Sequence, residues 1–223
     1  MPRLNWIFFL IFGSFGLLFF LYPEFDVAIS SVFFEERFDK EYLPYKILYE
    51  GTKIISFTSV LLLLILITLS FFGKIFKNLT RKNLFFLLLA ILLGPGLVVN
   101  VIFKDNWGRP RPKQIQEFKG KATHMPPFVI SQECDKNCSF VCGHASMGYV
   151  FVALAFIYRN RRKEIFWSSV VAGSLIGLGR VAQGGHFFSD VIFSFFFTYI
   201  TIRVLYFVMY SKEEYSPTTE TKV

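Results

Sequence analysis

Apolar residues gather in six runs along the chain: Leu4 to Tyr22, Ile54 to Phe72, Leu84 to Phe103, Ala145 to Tyr158, Ile165 to Leu178 and Phe187 to Met209. An α-helix needs about 20 residues to cross the hydrocarbon core of a bilayer, and most of the runs approach that length. The fourth and fifth are short. They reach across only if the polar residues at their ends continue the helices, which puts those residues at helix termini near the membrane surface. The pattern predicts an all-α integral membrane protein, a six-transmembrane-helix bundle within residues 1–210, followed by a polar tail, 211–223, expected to be disordered. The first run, after a single Arg3, is read as a span and not as a signal peptide: its apolar core is longer than a signal core, Ala28-Ile29-Ser30 is a poor cleavage site, and Tyr22-Pro23 reads as an interfacial stop.

Composition agrees. Of 223 residues, 53% are hydrophobic and 19% aromatic, which excludes an ordinary soluble globule. The net charge of +8 would suit nucleic acid if it formed one tract. It is instead spread through the connections between apolar runs, so no nucleic-acid partner is expected and topology or anionic lipid accounts for it.

Those charges set orientation. Gly73 to Asn83 carries Lys74, Lys77, Arg81 and Lys82 without an acid, and Arg159 to Glu164 carries Arg159, Arg161, Arg162 and Lys163 against Glu164 alone. Both connections are expected inside, as are both termini, and segments 23–53, 104–143 and 179–186 outside. Segment 23–53 is acid-rich, as an outer loop should be, and its apolar clusters from Phe25 to Tyr49 suggest a segment lying along the outer interface. Segment 104–143 breaks the trend, because Lys104, Arg109, Arg111, Lys113, Lys119, Lys121 and Lys136 outnumber Asp105, Glu117, Glu133 and Asp135. Binding phosphate at the outer face would explain an exported basic loop; a merely solvated loop is the plainer alternative.

Three polar stretches lie at the ends of apolar runs on that face. The first, Lys104 to Pro112, offers Arg111 as a bidentate phosphate ligand stiffened by Pro110 and Pro112, with Lys104 as a point charge. The second, Cys138 to Ser146, brings Cys142 and Gly143 to the start of a helix, where backbone amides suit an anion, and adds His144, able to donate a proton. The third, Gly179 to Asp190, places Arg180, His186 and Asp190 at a membrane boundary, and the four-residue spacing of His186 and Asp190 puts both on one helical face.

Taken in order, Lys104 with Arg111, Cys142-Gly143-His144, and Arg180 with His186 and Asp190 resemble the signature of the type 2 phosphatidic acid phosphatases: K-x6-R-P, P-S-G-H and S-R-x5-H-x3-D. Two positions depart from it, Val141-Cys142 for Pro-Ser and Gly179 for Ser. Longer runs, including Gly94 to Asn100, Trp107 to Pro112, Cys134 to Gly143 and Gln183 to Asp190, resemble the bacterial lipid A 4'-phosphatases within that superfamily. The resemblance implies an inner-membrane enzyme with its site facing the periplasm and lipid A as substrate, with neither cofactor nor obligate protein partner. His186 would be the nucleophile, forming a phosphohistidine, and Asp190 would accept a bond from its other ring nitrogen. His144 would protonate the leaving oxygen and later activate water. Lys104, Arg111 and Arg180, with the amides near Cys142 and Gly143, would gather the phosphoryl charge without a metal. A lipid A 1-phosphatase and an undecaprenyl diphosphate phosphatase would use the same residues; a phospholipid-binding or transport protein would need the cations but no oriented imidazole.

The cysteines admit several uses. Cys142 as a thiol nucleophile needs an arginine six positions on, where Gly148 stands. A zinc site from Cys134, Cys138, Cys142 and His144 has an unusual spacing and would consume the proposed acid. An oxidising outer face favours a disulfide between Cys134 and Cys138, with Cys142 free. His124 reads as a loop residue, and Gly173 with Gly177 as a site of close helix packing.

Overall fold

The structure, a computed structural model, describes residues 6–73 and 79–214. Lys74, Lys77 and the tail from 215 onward lie outside the described residues. Among the described residues the fold is all-helical, with isolated bridges at Phe34–Phe38 and Ile115–Ala122 and no strand.

Helix α1, Trp6–Leu21, turns by 84° into α2, Glu24–Ser31, across Tyr22 and Pro23. Helix α3 runs Leu43–Phe71 and so begins well before Ile54, where the apolar run starts. Its first turns are amphipathic: Tyr45, Leu48, Tyr49 and Thr52 form a stripe of helical spacing directed inward, with Thr52 buried. Lys46, Glu50 and Lys53 stay outside, where Lys53 meets Glu50 at 3.1 Å. Pro44 sits in the first turn, where its missing N–H has no intrahelical acceptor to satisfy. Segment 23–53 is therefore two helical pieces joined by a short link, not an open loop.

Helix α4, Arg81–Phe103, is capped by Thr80, whose side chain accepts the Asn83 N–H at 3.2 Å. Over Leu92–Phe103 its turns widen to π-helical geometry. Pro95 lies within that stretch and cannot donate a helical bond, and the Asn100 side-chain amide occupies the Pro95 carbonyl at 2.7 Å. The wide turns carry Asn100 and Lys104 round to the same side.

Helix α5, Gly143–Ile157, does continue through the polar Gly143 and His144, yet it remains short. It is sheathed by protein: nearly every residue from Gly143 to Phe156 is buried. Its neighbour α6, Arg162–Ala182, comes close enough that a Cβ on Gly148 would lie 2.4 Å from the Gly173 Cα. Gly177 makes room in the same way for Val191. Because α6 persists to Ala182, the connection to α7, Phe188–Glu214, is only Gln183 to Phe187, shorter than 179–186. Helix α7 also outruns the apolar run, reaching four residues into the segment read as tail.

Among the described residues four helices (α3, α4, α6 with its preceding turn, and α7) are long and apolar enough to cross a membrane, and α1 with α2 makes a fifth if the bent pair counts as one span. The chain is a multi-pass membrane protein. Helix α7 carries two inward faces. Ser189, Asp190, Ser194 and Thr198 are fully buried polar residues, while Phe193 and Phe196 pack with Phe19, Val99 and Phe140 in an aromatic core.

Candidate active site

Backbone hydrogen bonds fasten the three polar stretches to one another. Cys138 N–H donates to the Lys104 carbonyl at 3.0 Å and Ser139 N–H to the Arg109 carbonyl at 2.8 Å, which closes the long loop on itself. Cys142 N–H donates to the Asp190 carbonyl at 3.1 Å, and Lys113 N–H to the Gly184 carbonyl at 3.2 Å. All of the residues of the signature thus share one end of the bundle.

His186 stands just before α7 and is 1% exposed. Its Nδ1 lies 2.7 Å from the backbone carbonyl of Ser139. A carbonyl only accepts, so Nδ1 carries the hydrogen and Nε2 keeps its lone pair; Nε2 makes no hydrogen bond among the described residues. Burial pushes the imidazole down to about 3, against the opposing influence of Asp190, and Arg111 and Lys104 push the same way. A neutral ring with a free nitrogen is a nucleophile. The expected direct bond to Asp190 is replaced: Nδ1 is 3.6 Å from Oδ2, because that carboxylate is already filled. Arg109 Nη1 reaches Oδ1 at 2.6 Å, while Oδ2 accepts the Ser139 hydroxyl and, at 2.8 Å, the Phe187 N–H.

The cations surround this ring. Lys104 is 8% exposed, and burial lowers its pKa, with Arg111 and Arg180 adding to the effect, so the three positive charges feel one another. Arg111 is anchored by donating from Nη2 to the Asn137 carbonyl at 2.7 Å and to its side-chain oxygen at 2.9 Å. Arg180 bonds the Gln183 side-chain oxygen through Nη1, whereas its buried Nε has no partner among the described residues. An unspent buried guanidinium N–H in a nest of cations is a donor available to an anion. Gly143 sits at the opening of α5, where a Cβ would come within 2.7 Å of Asn100 Oδ1 and 3.1 Å of Lys104 Nζ. Only glycine leaves that approach free.

His144 is stacked on Tyr49, with ring centroids 4.6 Å apart, and the same tyrosine lies under Arg180 at 4.6 Å and Lys53 at 4.0 Å. One tyrosine ring thus contacts the second histidine and two cations. Cys142 is a buried free thiol that makes no cap bond to the helix it precedes, and burial pushes its pKa up, the wrong direction for a thiolate. Cys134 and Cys138 are joined in a disulfide with Cα atoms 5.8 Å apart. No three His, Cys, Asp or Glu side chains gather as a metal site among the described residues. His124 packs with its ring edge-on to Phe187 at 4.9 Å.

Of the two departures from the family signature, Gly179 has a local explanation and nothing in the structure explains Val141-Cys142. A side chain at Gly179 would approach Leu48 Cδ1 to 3.1 Å, so the glycine lets α3 lie close against α6. At the other, the carbonyl of Cys142 accepts the Ser194 hydroxyl at 2.8 Å, tying the start of α5 to α7.

Sequence reasoning passed over Arg109, Asp26, Ser139 and Tyr49. Arg109 is wholly buried and binds Asp190, Ser189 at 2.8 Å, Asp26 at 2.8 Å and the Met125 carbonyl at 2.8 Å. Asp26 in turn accepts the Ser189 N–H at 2.9 Å. Helix α2 is thus bound to the first turn of α7 through buried charge.

The sequence profile of the PAP2 superfamily matches residues 83–214. A lipid A 4'-phosphatase of Francisella tularensis subsp. novicida is 50% identical over 161 residues, 71% of this chain and 72% of that protein. A lipid A 4'-phosphatase of Rhizobium etli is 39% identical over 103 residues, 46% of this chain and 40% of that protein. One from Rhizobium leguminosarum is 33% identical over 117 residues, 52% of this chain and 50% of that protein. No solved structure matches the chain. The matched stretch runs from α4 to the end of α7 and holds Lys104, Arg111, His144, Arg180, His186 and Asp190 together, and the chain belongs to the PAP2 superfamily.

Proposed function

We propose that the chain is a lipid phosphatase that removes the 4'-phosphate of lipid A at the periplasmic face of the bacterial inner membrane. The observation that carries this reading is the His186 ring, whose Nδ1–H is spent on the Ser139 carbonyl so that Nε2 is left free among three cations. The relatives named above carry that activity in their names.

The reaction balances on these residues. Nε2 of His186 attacks phosphorus as the bond from phosphorus to the 4'-oxygen breaks, and His144 gives its proton to the departing oxygen. Incoming phosphate charge favours the protonated form of His144 before that step. Lys104, Arg111 and Arg180 hold the equatorial oxygens, where charge accumulates, with the amides at the start of α5. Asp190, 3.6 Å from Nδ1, steadies the positive ring of the phosphohistidine. Water then gives a proton to His144 and attacks phosphorus, the phosphorus–nitrogen bond breaks, and phosphate leaves with both histidines restored. The residues do this without a metal or cofactor.

Six spans follow if α1 and α5 each count as one beside α3, α4, α6 and α7. Orientation rests on Arg159, Arg161, Arg162 and Lys163, which lie at the end of α6 remote from Arg180. Removing a phosphate from the outer leaflet lipid would make it less attractive to cationic antimicrobial peptides.

Lipid A incubated with the purified protein in detergent should lose the phosphate of its distal sugar, read by mass spectrometry, and His186→Ala should leave it intact. Loss of the 1-phosphate would overturn the assigned position. Turnover by the variant would overturn the nucleophile, and strong inhibition by a chelator would overturn the metal-free mechanism.

A further inference from the structure

Arg111 and Arg180, but not Lys104, also line a cavity of about 260 Å³ whose wall includes Lys40, Lys113 and Gln183. Two acids also line it, and each is paired with a lysine: Glu41 with Lys46, itself part of the lining, at 2.8 Å, and Glu50 with Lys53 at 3.1 Å. Lys40 and Lys113 make no ion pair among the described residues. The pKa of Lys113 is pushed down by burial and then by Lys40, Arg111 and Arg180, so four cations share this space.

The two lysines are mounted on the turn that leads to His186. Lys113 N–H donates to the Gly184 carbonyl at 3.2 Å, and the Gln183 side-chain amide donates to the Lys40 carbonyl at 3.3 Å. Phe38, two residues before Lys40, is buried edge-on against Phe118 with centroids 5.1 Å apart. It presses on Gly184 so closely that a Cβ there would lie 2.3 Å from its ring. Gly184 also has φ +62°, a left-handed conformation, so the turn is shaped to receive the 38–40 segment.

Like charges held together by backbone anchors and aromatic packing are unfavourable unless an anion comes between them. The reacting phosphate already has Lys104, Arg111 and Arg180. We propose that Lys40 and Lys113 form a second anion subsite, which takes the other phosphate of a doubly phosphorylated glycolipid while the first lies at His186. This rests on the lipid phosphatase reading above and assigns the residues that select a bisphosphorylated substrate.

The test compares two glycolipids, one phosphorylated at both ends and one only at the reacting position, with full-length protein in detergent. Wild type should show kcat/KM about tenfold higher on the doubly phosphorylated lipid, on the order of one charge-assisted contact, and mostly through KM. In Lys40→Gln/Lys113→Gln that ratio should fall toward one, and Lys40→Arg/Lys113→Arg should keep it. A ratio unchanged by the glutamine substitutions, or a wild type that does not discriminate, overturns the subsite alone. Failure of wild type to release phosphate from either lipid overturns the phosphatase reading and the subsite with it. Inorganic phosphate separates the two sources of the anion: if millimolar phosphate accelerates wild type on the singly phosphorylated lipid, and the glutamine variant not at all, the subsite takes free phosphate and the assignment to the lipid's second phosphate is overturned.

Discussion

Arg109 donates to Asp190 at 2.6 Å with both side chains wholly out of water. Two carboxylates share this one guanidinium, since Asp26 takes its other arm at 2.8 Å. Burying charges is costly, and removing one partner from such a set leaves the rest uncompensated. Arg109→Ala should therefore destabilise the protein by about 3–5 kcal/mol, seen as a large fall in the thermal midpoint in detergent. Arg109→Lys should recover little, because a point charge cannot serve two carboxylates in the geometry of a fork. A midpoint equal to wild type for Arg109→Ala would refute the role.

Tyr49 carries the second prediction. Its ring stacks on His144, so Tyr49→Ala should let the histidine wander and lower kcat roughly tenfold, about 1.4 kcal/mol. Tyr49→Phe keeps the ring and should stay near wild type. The check is steady-state kinetics on both variants, and a loss in Tyr49→Phe equal to that in Tyr49→Ala would point to the hydroxyl instead.

Acid should weaken the fold through its buried imidazoles. Burial holds His186 at about 3, from an ordinary value of 6.5, and His124 at about 4. Between those values and 6.5 the unfolded chain takes up protons that the folded protein does not. This contribution to stability is thus complete above 6.5 and is lost as pH falls below it. Thermal midpoints measured from pH 8 down to about 4.5 should decline on the acid side, and His124→Gln should remove part of that slope. A slope identical in the variant would exclude His124 as a contributor.

Reduction of the disulfide should act on substrate binding. Asn137 stands between Cys134 and Cys138 and holds Arg111 with both its carbonyl and its side chain. A thiol reductant, or Cys134→Ser, should loosen that hold and raise KM by roughly five- to tenfold, about 1 kcal/mol, with kcat little changed. A fall in kcat alone would contradict the link through Arg111.

The candidate site residues were legible because each sits in a short polar interruption of an apolar run, where an ionisable side chain stands out. Arg109 lies in the same interruption as Arg111 but looked like one more loop cation. Its partner Asp26 is 83 residues away, and nothing local distinguishes a buried ion from a solvated one. Tyr49 was hidden by a different cause. Lys46, Glu50 and Lys53 made the start of α3 look like loop, although Tyr45, Leu48, Tyr49 and Thr52 already had the spacing of a helix face. The direct His186–Asp190 bond was inferred from four-residue spacing and the family resemblance, neither of which can foresee that a loop carbonyl would arrive first. Helix lengths erred for a related reason: hydropathy sees where lipid ends, whereas α3 and α7 continue as long as protein covers one side.

The short α5 has a consequence for the membrane itself. From Gly143 to Ile157 it rises only about 24 Å, against roughly 30 Å of hydrocarbon. If its far end keeps level with the opposite surface, His144 lies several ångströms below the plane of the headgroups. A lipid phosphate must then be drawn down to the histidines, or the bilayer must thin to meet them. Turnover in vesicles should accordingly rise as acyl chains shorten, making bilayer thickness a determinant of rate.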